Sequence, residues 1–383
     1  MKDRGQTHFR RVAVCILLSL VLIVLCQPVA ASSPADSLAP VTAAAMKLVQ
    51  FCMEPGAGLD KEAVGILTDY VLSSKEAREC ALPKSLECAG AYYEFDAKIA
   101  FPRFIEYSYN PLIPAVITRP SVLRYSVWAA PRGDIQKLPA SWKMVPPAGV
   151  PVIFHSMQHE SDTPDLHSGV YHEYDLKRTL ILANHKGHQV MVSVSKQIGT
   201  STVGKKGIIV GNDNDWNYYY SGRPGTPKTG LGWVKSYIFD YFSIGVFVES
   251  TTGPPTVRTG LFQWLRAGWS GINFVKSSHI GRGLKRFARD TRMVLESPRL
   301  PPPDQMISTY QWLSNLPAGD LIKKYGALQQ AQRHSAALTG KIGKSEAEEQ
   351  PSSADTPKDQ IIEELMLEHV KTVLGKDSTV ISP

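Results

Sequence analysis

Most signatures of chemistry are missing from this 383-residue sequence. It has no glycine-rich phosphate loop and no G-x-G-x-x-G turn, so nucleotide and dinucleotide binding lose their usual marks. It has no G-x-S-x-G; the segment around Ser270, GWSGI, misses that pattern by one position. The string HSMQHE at 155–160 is neither H-E-x-x-H nor its inverse, which disfavours a zinc peptidase. Cysteine is scarce at five residues and never spaced C-x-x-C, so a cysteine-rich zinc site or redox motif is not supported. Charged residues are slightly few, at 20%. Gly 29 and Pro 27 are ordinary counts, which exclude collagen-like and wholly disordered chains. A chain that is 43% hydrophobic and this long can bury one large core or two smaller ones.

The clearest segment is the N-terminus. Lys2, Arg4, Arg10 and Arg11 precede an apolar run from Val12 to Cys26, broken only by Ser19, and PVAASSP follows. A basic head, a short apolar stretch and small residues read as a secretory signal peptide over 1–31, cleaved after Ala31. The alternative is a retained anchor, but the run is short for a span of about 20 residues. Leu25 before Cys26 does not suit a lipoprotein signal, and the greasy run suits the general secretion route better than a twin-arginine one. Removal of 1–31 takes away four cations and one anion, so a net charge of +7 falls to +4. The expected location is therefore outside the cytoplasm, in the periplasm or cell envelope, and nucleic acid is not an expected partner. Cys52, Cys80 and Cys88 remain, and export permits a disulfide of Cys80 with Cys88, or of Cys52 with either.

Beyond the signal, the pattern predicts a helical N-terminal segment over 32–90. One helix runs from Thr42 to Met53. A second is capped by Asp60 with Ala63, Ile66, Leu67, Tyr70 and Val71 on one face, and a short third turn opens at Ser73. An α+β core domain is expected over 91–300. The segments YYEFDAKI, FIEYSY, VLRYSVW and VPVIFHS look like strands. HKGH at 185–188 reads as a hairpin turn between YDLKRTLILAN and QVMVSVSKQ. Val190, Val192 and Val194 alternate with Met191, Ser193 and Ser195, as in a half-buried strand. SYIFDYFSIGVFVES is a long central strand. After TTGPP the spacing of Leu261, Leu265, Gly268 and Ile272 predicts a helix, followed by a second helix with Leu284, Phe287, Ala288, Thr291, Val294 and Leu295 on one face. A helical extension over 301–338, a disordered linker over 339–358 and a tail helix within 359–383 complete the chain. No internal repeat is present.

Short helices, then a mainly antiparallel sheet, then helices argue an α+β fold. The long strand from 236, the Gly-Pro-Pro loop and the amphipathic helix bearing GLKRF together resemble the C-terminal third of START-like lipid-binding domains, over about residues 236–297. That resemblance implies a helix-grip architecture. It carries no site residues.

Three features could carry chemistry. Six of the ten histidines lie between 155 and 188, interleaved with Glu160, Asp162, Asp165, Glu173 and Asp175. Imidazole and carboxylate suit a divalent metal such as zinc. His155, His159, His167 and His172 are the candidate ligands, with Glu173 a ligand or general base. The plainer reading is a set of polar loops and turns. In GNDNDWNYYYSGRPG, Asp213 and Asp215 lack the glycine and distal glutamate of a calcium loop. Trp216, Tyr218 and Tyr220, with Trp233 beyond, are candidates for stacking against a sugar or lipid, or for a turn and aromatic strand. Arg282, Lys285, Arg286, Arg289 and Arg292 form a basic helix face that could meet an anionic membrane surface, or simply water.

The expected function is therefore an exported protein that binds a hydrophobic or amphipathic ligand such as lipid. The alternatives are a structural envelope component whose tail helix docks a partner protein, and a metal-binding protein or metal-dependent enzyme built on the histidines.

Overall fold

The computed structural model describes residues 34–74, 76–129, 138, 146–147, 149–165, 168–228, 230, 232–340 and 350–377. The signal segment and His167 lie outside the described residues. Residues 40–383 form one compact unit; of the separate unit 1–39, only the opening turns of the first helix are described.

Helix α1 (Pro34–Met53) and helix α2 (Lys61–Leu72) lead the chain. Asp60 caps α2 as its sequence implies, accepting the Ala63 N–H at 2.9 Å. The described residues of the predicted third turn, Ser73, Ser74 and Glu76, are not helical. Ser73 ends α2, its hydroxyl bonded to the Tyr70 carbonyl, and the chain enters a hairpin of β1 (Glu79–Ser85) and β2 (Cys88–Ala97). The helical segment is thus shorter than 32–90, and Cys80 and Cys88 sit on strands. All three remaining cysteines are free thiols, so the expected staple is absent.

After α3 (Phe101–Tyr109) come β3 (Leu123–Trp128), β4 (Val152–Asp162), β5 (Val170–Tyr171), β6 (Glu173–His185) and β7 (His188–Ile198). The β6–β7 turn is the predicted one, with Lys186 and Gly187 both at positive φ. FIEYSY, expected as a strand, lies in α3; Pro102 at its start, in place of an N–H, suits a first helical turn. Strands β8 (Lys205–Ile209), β9 (Tyr218–Pro224), β10 (Thr226–Lys228) and β11 (Gly232–Val234) form small side sheets with β5. Then β12 (Tyr237–Glu249), β13 (Val257–Trp269) and β14 (Ile272–Asn273) precede α4 (Ser277–Leu295), α5 (Pro303–Asn315), α6 (Ala318–Leu338) and α7 (Lys358–Val373).

The main sheet has nine strands in the order β1-β2-β13-β12-β7-β6-β4-β3, with β14 added beside β13, and every pairing in it is antiparallel. The largest departure from the sequence reading is β13, expected as a helix. A spacing of four keeps residues on one side of a strand as well as of a helix, and the flanking β-branched and aromatic residues favour the strand. This strand closes the architecture, because it carries β12 on one edge and β2 on the other.

Both faces of the sheet are covered. One face presents Val190, Val192, Val194, Ile244, Val246 and Trp264, all buried. Helices α1 and α2 lie against it: Cys52 reaches the Lys177 and Val194 carbonyls, and Val71 abuts Gly260. The other face carries Ala91, Phe95 and Leu261 under α4, and Leu180, Met191 and Phe247 among the packing partners of α3, α5, α6 and α7. Strand β7 is therefore buried on both sides rather than half-buried, Ser193 and Ser195 included. The result is an α+β, helix-grip-like fold in which α4 lies across the sheet.

The apolar face of the tail helix α7 packs inside this chain. Ile361, Ile362, Met366, Leu367 and Val370 are buried in this chain's own core. Part of the expected linker, 341–349, lies outside the described residues; Ser353–Asp355 form a single 3₁₀ turn, and Pro351 accepts a bond from Gln329 of α6. Among the described residues, no helix is long and apolar enough to cross a membrane.

Candidate functional site

Where α4 crosses the sheet, the packing leaves a cavity of about 90 Å³. Its position follows from strand alternation: Arg178, Ser193, Ser243, Gly245, Leu261 and Gln263 point to the same side of β6, β7, β12 and β13. Leu284 and Phe287 of α4 close it from above, with Tyr109 and Phe247 among its apolar walls. Gly245 leaves this space open: a Cβ there would come within 2.7 Å of the Phe247 ring.

The cavity also has a polar side. Arg178 donates to Glu160 at 3.0 Å and to Ser193 at 3.0 Å, and also bonds Gln158. Glu160 accepts in addition from the Ser126 hydroxyl at 3.0 Å. The two charged side chains are only 7% and 4% exposed. Burial alone would lower the Arg178 pKa, but the facing Glu160 outweighs it and the guanidinium is held more firmly protonated than usual. Tyr174 and Tyr241 line the same wall, and burial pushes both phenols up, so they stay neutral donors. Tyr241 donates to Ser243, which also bonds Ser195. Arg119, half-buried, lies 5.3 Å over the Tyr109 ring and 5.8 Å over that of Phe287, and no carboxylate pairs with it among the described residues. The cavity thus has an apolar roof, a hydrogen-bonded polar floor and a cation at one side.

Ion pairs fasten α4 over this site. Arg286 makes a two-pronged bond to Asp213, and Arg289 reaches the same carboxylate at 2.9 Å. Burial works to raise the Asp213 pKa, but these two guanidiniums outweigh it and hold the carboxyl below its usual range. Lys285 pairs with Glu79 of β1, while Arg292 pairs with Glu296 at the end of its own helix. The basic face expected to be free is thus largely matched by this chain's own carboxylates. Asp213 serves as the anchor of α4.

Of the proposed metal ligands, the described ones, His155, His159, His172 and Glu173, do not converge. His155 and His159 share the sheet face opposite the cavity. His155 bonds Thr179 and packs on Phe51 of α1, while His159 bonds Asp175 at 2.8 Å. His172 lies between β5 and β6, 3.5 Å from Asp162 and 3.4 Å from Ser236, and Glu173 pairs with Lys205. Among the described residues, no group of three histidine, cysteine or acidic side chains is placed to hold a metal ion. Asp162, His172 and Ser236 follow the order of a catalytic triad at loose distances. A Cβ on Gly204 would meet both the Ser236 oxygen and the His172 ring within 2.7 Å, so backbone occupies the space beside the hydroxyl.

The aromatic candidates do not form an exposed platform. Trp216, Tyr218 and Tyr220 are buried in the core. Lys376 sits 4.0 Å over the Trp216 ring, and Arg124 sits 4.0 Å over that of Tyr220. Trp233 lies apart on the β10–β11 ribbon, stacked with Arg223 at 3.8 Å. The residues that do line the cavity were visible in one respect. Arg178 occupies the register of Leu176, Leu180 and Leu182, a charge on the buried side of an alternating strand.

No family model matches the chain, and neither does any curated protein. Among solved structures, the chain is similar to the human StarD13 (DLC2) lipid transfer and protein localization domain, at 9% identity and a TM-score of 0.30, over 63% of this chain and 99% of that one. So loose a superposition leaves the functional reading to the chain's own geometry.

Proposed function

We propose that this protein binds an amphipathic, lipid-like molecule between the sheet and α4, and that it does so in the cell envelope after export. The observation that carries the reading is the cavity itself: Phe247, Leu261, Leu284 and Phe287 face a buried Arg178–Glu160 pair across a space that packing leaves open. Protein interiors are otherwise close-packed, and taking an ion pair out of water costs free energy that its attraction offsets only with good geometry and further hydrogen bonds. The apolar side would take an acyl chain, and Arg178, Arg119 and the two tyrosines would take a polar or anionic head. A space of about 90 Å³ is well below the several hundred Å³ of small-molecule pockets, so this is a closed form and loading requires α4 to move outward. Gly281 and Gly283 weaken the first half of α4, each by about 1 kcal/mol relative to alanine, and make that half the part that lifts. Export is supported by the basic, apolar and small-residue order of the first 31 residues.

Native mass spectrometry of protein purified gently from its own cells tests both parts. The expected result is a non-covalent lipid-sized mass, and a polypeptide mass that begins at Ser32. Gln263→Phe, which fills the cavity, should remove the bound mass. A chain that carries no lipid and shows no saturable uptake of a fluorescent lysophospholipid would refute the ligand reading.

A further inference from the structure

Exposed apolar side chains gather at one end of the sheet. Strand β2 pairs with β13 only as far as Ala89 opposite Leu265, and β14 then takes its place, with Asn273 opposite Gly268 and Ile272 opposite Trp269. The β13–β14 turn therefore lies beside the β1–β2 turn, and Arg266 bridges the two through Glu87 at 3.3 Å. Leu86, Ile272 and Phe274 are 57%, 56% and 42% exposed at this end. Phe274 stacks on Trp269 with ring centres 3.9 Å apart, which makes a stiff aromatic wedge rather than two loose side chains.

Most cations of residues 266–289 are already matched: Arg266 pairs with Glu87, Lys285 with Glu79, and Arg286 and Arg289 with Asp213. Lys276 and Arg282 have no carboxylate partner among the described residues. Lys276, two residues after Phe274, and Arg282 in α4 are both exposed, and the first turn of α4, whose N-terminus carries a positive partial charge, holds no acid.

We infer that this tip docks on an anionic lipid surface, with Trp269, Ile272 and Phe274 entering the headgroup region. The inference rests on the lipid-binding reading and adds where the protein would meet its membrane. Three exposed apolar side chains are too few for a stable protein interface, which buries about 1,200–2,000 Å² in all. A small apolar wedge followed in the chain by the unpaired Lys276 and the N-terminus of α4 suits an anionic bilayer, where apolar insertion and charge attraction add. The tip leads directly into α4, so docking occurs at the base of the helix that closes the cavity.

The test is co-sedimentation of the protein, as isolated from cells, with vesicles of phosphatidylcholine alone or mixed equally with phosphatidylglycerol. The expected result is binding that favours the anionic vesicles and weakens with salt. Ile272→Ser with Phe274→Ser should lower it by about tenfold or more, from the loss of two inserted side chains. Brominated lipid should quench Trp269, read as the difference between the native protein and Trp269→Phe; this signal reports the tip even if another segment holds the protein on the vesicle. Circular dichroism and the co-purified lipid mass should be unchanged in the double variant, which separates failure of the tip from failure of the cavity. Equal vesicle binding by the double variant and absent quenching of Trp269 would each overturn the inference. So would capture by a protein partner that the double variant abolishes while vesicles are ignored.

Discussion

Replacement of Glu160 by leucine leaves the Arg178 guanidinium without its counter-ion in a site where its side chain is only 7% exposed. Ser193 and Gln158 still accept from it, but neither carries charge. Removing one partner of such a pair costs about 3–5 kcal/mol, because the remaining charge stays out of water. With unfolding entropy near 2.1 cal/mol/K per residue, the compact unit should lose about 4–7 °C of thermal midpoint. Arg178→Met should cost a similar amount at neutral pH, since Glu160 then stands alone beside Tyr174 and Ser126. The double variant Glu160→Leu with Arg178→Met should be less damaged than the two single losses added together, by about 2–3 kcal/mol. Some loss remains, because Ser193 and Gln158 each give up a partner. Urea titration of the four proteins at neutral pH measures the cycle, and lysophospholipid uptake measured alongside should fall in all three variants. If both single variants lose less than about 1 kcal/mol and the cycle is additive, the pair behaves as a hydrated surface pair. The polar floor of the cavity would then not exist as described.

Two further outcomes follow from buried groups elsewhere. Glu363 of α7 accepts the Ser126 N–H at 2.7 Å, and burial drives its pKa well above the usual carboxylate range. A carboxyl whose folded pKa is raised binds more protons folded than unfolded, so its share of stability is lost as pH rises from the ordinary carboxylate range to the folded value. Glu363→Gln should therefore gain stability over the native protein near pH 7 and lose that advantage on acidification; denaturant midpoints at several pH values check it, and a difference independent of pH would refute it. Deletion of the chain after Pro357 uncovers Ile361, Ile362, Met366, Leu367 and Val370. At about 1.5–3 kcal/mol for each buried side chain, the loss approaches or exceeds the whole stability of a typical domain. The truncated protein should be insoluble or bind a hydrophobic dye strongly, whereas a soluble, cooperative protein would show α7 to be dispensable.

Element type was legible wherever one period dominated. Asp60 announced α2, HKGH the β6–β7 turn, and the alternating valines β7. The stretch 257–269 was not legible, because spacing by four serves a strand and a helix equally; pairing with β2, a segment 160 residues earlier, decided it. The site was legible only as an anomaly, Arg178 in the register of leucines. The histidine density said nothing about convergence, since pairing register sends His155 and His159 to one face of the sheet and the cavity to the other.

The sequence by itself determined the basic and apolar N-terminus, the order of helices before and after strands, and the overall α+β class, because these depend on composition and local period. Only the tertiary structure decided that β13 joins the β1–β2 hairpin to β12, that α7 belongs to the core, and that Asp213 anchors α4 through Arg286 and Arg289. It alone placed Glu160 beside Arg178 beneath that helix. Contacts between residues far apart in the chain depend on register and packing, which a local pattern of residues does not encode.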